Sequence, residues 1–587
     1  MKLAFIRNIR DFIFSRTFKH RYRISWVLAL LVSTIVILLY QFDVFERLEL
    51  LTLDYRFMLR PSNPIGSEIV FIDMSEDSLE SIGRWPWPRM WHATLIKALS
   101  EYNPKAIVFD VLFTEPQDTV NDTAMEEAIR QSGSVYLPLL FDLRWQDAAY
   151  LYEGKGITSV IRPLPLFSQY VKAVGHINAI PDVDGVLRRI PPIITYKDKR
   201  VFQMGMKVGL DAAGINSDNI VFYPDRHLIV APLPGGGSMR IPLDDKNQCI
   251  INWRARWGKE FKHYSYLDVI KSYSLIKRGE PPIIDLNEFK DKICIMGLTA
   301  AGLIDIKPIP LQNAYPAVGV NAMMASSAMS GSFIRDTPKG YTIFLIILLP
   351  IIVTLYLSNL RLLSGMALAT LSMIGYAFFS ILMFNFFSIA LPTFYPLLAI
   401  GMSYSISSLY AQVLHSLERA SLFKQATRDG LTNLYNIRHF NLLLEAEFRN
   451  VAMYKARKLS LIMSDVDNFK HLNDTHGHPA GDTILKEFAK IIESKCRQID
   501  IVARYGGEEF IVMLTGAGEK DAAAVAEKIR GAVEERKFKF KNVVYSTTIS
   551  LGVVEYTNER DKEELIAKAD KALYKAKQEG KNRVCIS

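Results

Sequence analysis

The feature that most constrains this chain is a set of four apolar runs, one near the amino terminus and three clustered after a long stretch of mixed polarity. Ile24 to Tyr40 is 17 residues without a charge, close to the minimum that crosses a hydrocarbon core of about 30 Å. Residues 1–23 before it carry seven Lys or Arg (Lys2, Arg7, Arg10, Arg16, Lys19, Arg21, Arg23) against one acid, Asp11. Such a flank marks the cytoplasmic side of a first span. A cleaved signal peptide is the rival reading, but the run is long for one, and QFDVFERLEL follows without a small-x-small cleavage pattern. Apolar runs resume at Tyr341 to Leu357, Leu362 to Phe384 and Ile389 to Ala411. The expected plan is therefore one span, a large loop over residues 41–339, and three more spans. Arg361 assigns the turn between the second and third spans to the cytoplasm, and four crossings bring the chain back there. Pro392 and Pro396 predict a kinked fourth run, and if that run did not span, everything after it would lie outside.

The 587 residues suffice for three to four domains. A composition of 49% hydrophobic and 22% charged residues, with no low-complexity tract, excludes a disordered, collagenous or long coiled-coil chain. The net charge of +9 would suit nucleic acid, but its concentration before an apolar run reads as a membrane flank, so no nucleic-acid partner is expected. Only four cysteines are present, Cys249, Cys294, Cys496 and Cys585, none in a CxxC pair. Zinc and redox-motif chemistry are excluded on that spacing.

Within residues 41–339, EIVFID (Glu68–Asp73), AIVFDVLF (Ala106–Phe113) and KICIMGL (Lys292–Leu298) alternate with helical patterns such as Trp91–Glu101. Strands alternating with helices predict an α/β unit with a largely parallel sheet. FIDMSEDSLESIGRWPWPR (Phe71–Arg89), PKAIVFDVLFTEP (Pro104–Pro116), DGVLRRIPPI (Asp184–Ile193), DKICIMGLTAAGLIDIKPIPL (Asp291–Leu311) and YPAVGVNAMMASSAMSG (Tyr315–Gly331) together resemble the second class of CHASE extracellular sensor domains. The resemblance implies an extracytoplasmic sensor for an unknown ligand, followed by three membrane helices. Trp85, Trp87 and Trp91 either line a pocket or anchor packing beside their prolines, with anchoring the commoner role. Cys249 and Cys294 either pair or remain inert buried thiols.

Past Ser405 the chain becomes more polar, and Leu409, Val413, Leu417, Ala420 and Leu422 form a short, imperfect helical stripe. Residues 412–426 are either a membrane helix running out into solvent or a dimerising, signal-passing linker. Beyond them, LSLIMSDVDNFKHLNDTHGHPAGD (Leu459–Asp482) reads as a buried strand ending in acids, a turn, and a helix from about Pro479 to Lys495. DIVARYGGEEFIVML (Asp500–Leu514) reads as two strands joined at Gly506-Gly507, where a two-residue turn would need positive φ angles. A helix over Glu519–Glu535, the strand Thr547–Tyr556 and a helix over Asp561–Lys577 complete an α/β unit. If the first strand neighbours the hairpin, Asp465 and Glu508 converge as hard oxygen ligands for magnesium or manganese, a phosphoryl-transfer arrangement. Alone, two acids at strand ends are more often merely solvated.

DGLTNLYN (Asp429–Asn436), SDVDNFKHLNDTHGHPAGD, RYGGEEF (Arg504–Phe510), SLGVVEY (Ser550–Tyr556) and ADKALYKAKQEGKNRV (Ala569–Val584) together resemble the GGDEF domain of diguanylate cyclases, in its GGEEF form. The resemblance covers Thr427–Val584, and residues 427–587 form the domain it implies. It implies a cyclase domain of the nucleotidyl-cyclase, palm-like kind, which condenses two GTP into cyclic di-GMP and two pyrophosphates as a homodimer. Asp465, the Val466 carbonyl and Glu508 match the metal ligands, Glu508 and Glu509 the catalytic acids, and Asn473 and Asp482 the pair that reads guanine. The backbone of Phe469 and Lys470, with Lys577 and Lys581, matches the phosphate contacts, and Gly507 the glycine that lets substrate approach. Arg497 and Asp500 match the RxxD inhibitory product site, for which the bland reading is a solvated ion pair. Ile437 and Lys581 stand where Arg is usual, Lys528 falls near where some members carry a further Arg for product binding, and Lys lacks the bidentate fork.

The expected whole is a multidomain bacterial inner-membrane protein with an α/β extracytoplasmic sensor, four transmembrane helices and an α/β cyclase domain in the cytoplasm, where GTP is. Two alternatives belong to other functions. One is a non-catalytic GTP or cyclic di-GMP receptor acting through a partner, against which Asp465, Glu508 and Glu509 are all retained. The other is a cyclase acting on ATP, which conflicts with Asn473 and Asp482.

Overall fold

The structure is a computed structural model that describes residues 16–61, 66–143, 156–357, 362–453, 457–540 and 543–587. Arg361 and the basic residues before Arg16 lie outside the described residues. The chain divides into two compact units, Met1–Leu409 and Tyr410–Ser587.

In the first unit the leading apolar run lies within α1 (Arg16–Gln41), which breaks at Phe42–Phe45 and turns by 85° into α2 (Glu46–Met58). Only one side of α2 is covered, through Leu50, Leu53 and Phe57 together with Asp54 and Arg56. Next come β1 (Ile69–Met74), α3 (Arg89–Ser100), β2 (Ala106–Phe109), β3 (Val135–Leu143), β4 (Ile157–Ile161) and β5 (Ala173–His176). They are followed by α4 (Met204–Ala212), β6 (Lys262–Ser265), β7 (Ile293–Leu298) and α5 (Val318–Ser330). The strands form one sheet in the order β6-β1-β7-β2-β3, all parallel, with β5 parallel and β4 antiparallel to β3. Side chains alternate between two cores. Ile69 and Phe71, Ala106 and Val108, and Ile293 and Ile295 enter one, while Val70 and Ile72, Ile107 and Phe109, and Cys294 and Met296 enter the other. Both faces are covered, which is why these strands read as continuous apolar runs. The β2 strand stops at Phe109, short of the expected AIVFDVLF, because Asp110 already points into a cavity at the strand ends.

Cys249 and Cys294 lie in different cores and are both free. Trp87 is a buried anchor whose indole N–H donates to the Gly83 carbonyl at 2.8 Å, and Trp91 packs on the same core. Trp85 and Trp87 also line the cavity, so both readings of the tryptophans hold in part.

The later apolar runs form α6 (Lys339–Leu357), α7 (Leu362–Phe387) and α8 (Phe394–Thr427). Of the described helices, α7 and α8 are long and apolar enough to cross a membrane; α1 with α2 passes only as one broken span, and α6 is shorter. Val32 and Val36 of α1 pack on Ile346 of α6 and on Tyr395 and Ala399 of α8, and the Ser33 hydroxyl donates to the Ile346 carbonyl at 2.9 Å. The fourth run departs from expectation. Ile389–Ala390 is a short strand paired with Arg335–Asp336, and α8 starts only at Phe394. Pro392 precedes the helix and Pro396 occupies its first turn, where the missing N–H has no partner to lose, so neither proline kinks it. Residues 412–426 continue the same 34-residue helix.

Three groups join α2 to the rest of the unit. The Asp54 carboxylate grips the Arg188 guanidinium with two contacts of 2.6 Å, and Arg188 also reaches Asp182 and Asp184. Arg56 donates to the Leu391 carbonyl at 2.6 Å. The Glu49 carboxylate accepts from the Thr393 and Phe394 N–H groups at 2.7 and 2.9 Å, satisfying the open amino end of α8.

The second unit comprises β8 (Tyr435–Asn436), α9 (Ile437–Met453), β9 (Leu459–Val466), α10 (Phe469–His476), α11 (His478–Lys495), β10 (Ile501–Arg504) and β11 (Glu509–Thr515). It ends with α12 (Glu519–Glu534), β12 (Ile549–Glu555), α13 (Lys562–Gln578) and β13 (Val584–Ile586). Its sheet runs β8-β10-β11-β9-β12-β13, with β9 central and antiparallel to both neighbours. Leu459, Leu461 and Met463 enter one core while Ile462 and Val466 enter the other. Ser460 and Ser464, buried between them, donate to the Ala517 and Phe510 carbonyls, so no hydroxyl of β9 is left unpaired.

Candidate active site

The site forms where β9 ends. Asp465 stands directly opposite Glu509 of β11 and Ser550 of β12. The Val466 N–H donates to the Glu508 carbonyl at 3.3 Å, which sets the backbone of Glu508 beside the end of β9. Two carboxylates facing each other at a strand end repel. Burial, and after it Asp465, pushes the Glu509 carboxyl up. Burial likewise raises Asp465, opposed by Lys577, whose ammonium lies 2.7 Å from it. Lys577, which the resemblance matches to a phosphate contact, thus has its ammonium against the candidate metal ligand. Among the described residues no three His, Cys, Asp or Glu side chains converge as a complete ligand set. The chain therefore offers an incomplete, all-oxygen shell, the kind that suits a hard divalent cation sharing substrate oxygens and water.

The hairpin that carries Glu508 differs from the expected two-residue turn. Neither Gly506 nor Gly507 has a left-handed φ. The loop is longer, spanning Tyr505 to Glu508, and closes through N–H bonds from Tyr505 and Gly506 to the Glu509 carbonyl. A Cβ at Gly506 would lie 2.5 Å from the Glu509 carboxylate and displace it, whereas a Cβ on Gly507 would meet open space. Arg504 holds this loop, donating to the Gly507 carbonyl at 2.6 Å and the Gly506 carbonyl at 3.1 Å, and is paired in turn with Asp429 at 3.3 Å.

Beyond β9 the chain turns at Asn468, which adopts a left-handed φ of 56°, and starts α10 at Phe469. The N–H groups of Phe469 and Lys470 are thereby the open amino end of a helix beside the carboxylates, an anion-binding arrangement. Lys581 donates to the Asn468 side chain, which sets a cation at this same turn. Asn473, one turn into α10, lies against Gly481, where a Cβ would come within 2.0 Å of its Oδ1. That Oδ1 is buried without a partner, and Asp482 follows on the exposed side of α11. A buried amide oxygen left unpaired next to an exposed carboxylate is a ready pair for the edge of a base.

Some residues have roles that sequence reasoning missed. Asp467, 3% exposed, accepts from the Thr548 and Ser550 hydroxyls at 2.6 Å each and from the Asn582 N–H at 3.0 Å. It thus ties the carboxyl-terminal loop carrying Lys581 to the end of β9. Arg504 and Asp429 position the glycine loop. All lie inside the motif blocks, which was the only signal available for them. Away from the site, the Asp500 carboxylate accepts from the Arg497 backbone N–H at 2.7 Å. Arg497 and Asp500 therefore form a closed turn rather than the side-chain ion pair of the bland reading. Ile437 opens α9, and Lys528 is exposed on α12.

Residues 28–357 match the CHASE2 domain, and residues 426–583 match the family described as diguanylate cyclase, GGDEF domain. Diguanylate cyclase A of Treponema denticola is 43% identical over 187 residues, covering 31% of this chain and 49% of that protein. Diguanylate cyclase DosC of Escherichia coli is 40% identical over 169 residues, covering 28% and 36%. This chain thus spans half or less of the length of these curated relatives. Among solved structures, the coiled coil and GGDEF domain of DgcB from Caulobacter crescentus in complex with c-di-GMP is 29% identical. It covers 31% of this chain and 100% of that one, with a TM-score of 0.29.

Proposed function

From the premise that this chain belongs to the CHASE2 family over residues 28–357 and carries a GGDEF domain over residues 426–583, we propose that it is a sensor-governed diguanylate cyclase of the bacterial inner membrane. Each GGDEF domain holds one GTP. Asn473 and Asp482 read the guanine edge, where a carboxylate accepts from ring N–H and amine and so opposes adenine. The start of α10, with Lys577 and Lys581, holds the phosphates. Asp465, the Val466 carbonyl and Glu508 would hold magnesium or manganese, which would neutralise phosphate charge and lower the pKa of the attacking hydroxyl. Glu509, its carboxyl raised by burial beside Asp465, is the group best placed to carry a proton there. The 3′-hydroxyl of each GTP attacks the α-phosphorus of the other and pyrophosphate leaves; the second displacement closes the ring. Two domains must therefore face each other, so the homodimer is the catalytic unit. The Arg497–Asp500 turn is the product-inhibition site, its guanidinium paired with no acid among the described residues. Four crossings, with α8 as the last, keep the GGDEF domain in the cytoplasm with GTP and the CHASE2 domain outside.

One observation carries this reading: Asp465 facing Glu509 across the central ladder, immediately before the helix start at Phe469. The test is the purified full-length protein with GTP and magnesium. The expected outcome is cyclic di-GMP with one pyrophosphate per GTP, and no cyclic product from ATP. Glu508→Gln, nearly isosteric, should lower turnover at least a hundredfold, since removing a ligand charge costs several kcal/mol in phosphoryl transfer. Activity within threefold of wild type, under about 1 kcal/mol of barrier, would sink the metal assignment.

A further inference from the structure

At the carboxyl ends of the parallel strands, the sensor unit opens a cavity of about 820 Å³. Its walls come from the loops after β1, β2 and β7 and from the amino half of α5, and this end of a parallel sheet is where ligands of α/β units bind. Asp110 is the first residue beyond β2. Its N–H donates to the Met296 carbonyl at 2.9 Å, and its carboxyl accepts from the Asn321 amide. The orientation of that amide is set from behind. Asn321 Oδ1 accepts from Gln203 Nε2 at 2.7 Å and from the Gly205 N–H at 3.2 Å, which leaves its NH₂ to face Asp110. Gln203 is oriented in turn by the Met206 N–H, which donates to its Oε1 at 2.8 Å. The chain of amides thus presents a carboxylate, not an amide, to the cavity.

The charges around it leave that carboxylate without a cation. Arg89, which also lines the cavity, is consumed by Asp122 and the Glu115 carbonyl. Lys307 pairs with Asp305 at 3.0 Å, and no ion pair among the described residues reaches Asp110. Burial, with Asp305 adding to it, pushes the Asp110 carboxyl up to about 7. Aromatic and aliphatic side chains, Trp85, Phe113 and Leu303 among them, share the wall with polar ones. A carboxylate short of a cation, set in an aromatic wall, suits an ammonium carried on an apolar body. A carboxylate or phosphate ligand would be repelled, and a neutral polyol would leave Asp110 uncompensated.

We propose that this cavity binds a small organic cation, a primary amine with an apolar body, its ammonium held by Asp110 and Asp305 and its body against Trp85 and Phe113. The proposal rests on the CHASE2 unit being the sensing part of the chain and is independent of the cyclase reading. The test uses purified full-length protein in detergent and three probes of matched shape: 2-phenylethylamine, 2-phenylethanol and 3-phenylpropionate. Binding is read by calorimetry and by tryptophan fluorescence, neither of which needs turnover, so an inactive cyclase would leave the result intact. The amine is expected to saturate the site with an affinity at least tenfold above the alcohol, and the acid not to bind. Asp110→Asn should abolish the preference for the amine. Asp305→Asn, at the exposed rim where folding is not at stake, should weaken amine binding by at least threefold. Absence of saturable amine binding, equal binding of the alcohol, or an amine preference that survives both substitutions would overturn the proposal.

Discussion

Asp110 is held against its own solvation. Its folded value near 7 lies above the unfolded value of 3.8, so the stability it contributes is complete below pH 4 and is lost as pH rises through 7. Of the charged groups around it, Asp305 pushes it up further, while Lys307 and Arg89 in the same cavity are paired with Asp305 and Asp122; none reverses the sign. Asp110→Asn should therefore leave thermal stability unchanged near pH 4 and raise it progressively up to pH 7, with a plateau of about 1–2 kcal/mol beyond, allowing for water entering from the cavity. A melting difference that is flat from pH 4 to pH 8 would contradict this. At the same scale, the motif residues of the candidate site were legible because their chemistry is local: acids at a strand end, Asn and Asp flanking a turn. Arg504, Asp429 and Asp467 were not, because what they do is hold backbone groups contributed by strands far away in sequence. Arg504 and Asp429 are 75 positions apart, and Asp467 and Asn582 are 115 apart. Such contacts depend on sheet register, which one sequence does not display.

Among elements, α2 is the one whose role could not be read. Its sequence, ERLELLTLDYRFM, mixes charges with leucines, and nothing local announces an 85° turn after α1. Tertiary contacts decide it: the Glu49 carboxylate against the start of α8 and the Asp54 carboxylate against Arg188. Arg188 has no exposed side-chain surface and answers three carboxylates, Asp54, Asp182 and Asp184. Removing it leaves like charges packed together, so Arg188→Met should lower stability by about 3–5 kcal/mol. Arg188→Lys should recover less than half, since a point charge cannot span three acceptors. A melt of the detergent-solubilised variant that coincides with wild type would show the cluster to be energetically idle. By contrast, β1, β2, β7 and β9 were readable as short apolar runs, because a strand covered on both faces needs no alternation to hide.

For the whole molecule, the apolar runs were legible as helices except for the start of the fourth, where Ile389–Ala390 is a strand, and the order of CHASE2 and GGDEF domains followed from motif order. The proposed topology has its own test: a periplasm-active reporter should be active when fused near Gly331 and inactive after Ser587. The reverse pattern would separate the GGDEF domain from its substrate. One further property belongs to α8, which runs for 34 residues without a break, about 51 Å, against a hydrocarbon core of about 30 Å. Over its last part, Leu409, Val413, Leu417 and Leu422 are each at least half exposed within this chain. A continuous helix transmits rotation as well as displacement, and each added residue turns whatever follows by about 100°. Output should then depend on the phase of the helix rather than on its length. Two alanines inserted after Gln412 would silence or unleash cyclic di-GMP synthesis, whereas seven, returning within about 20° of the starting angle, would restore the wild-type level. A monotonic loss with length would reduce α8 to a tether; an oscillating one would make it a crankshaft, with the amino end that Glu49 grips as its bearing.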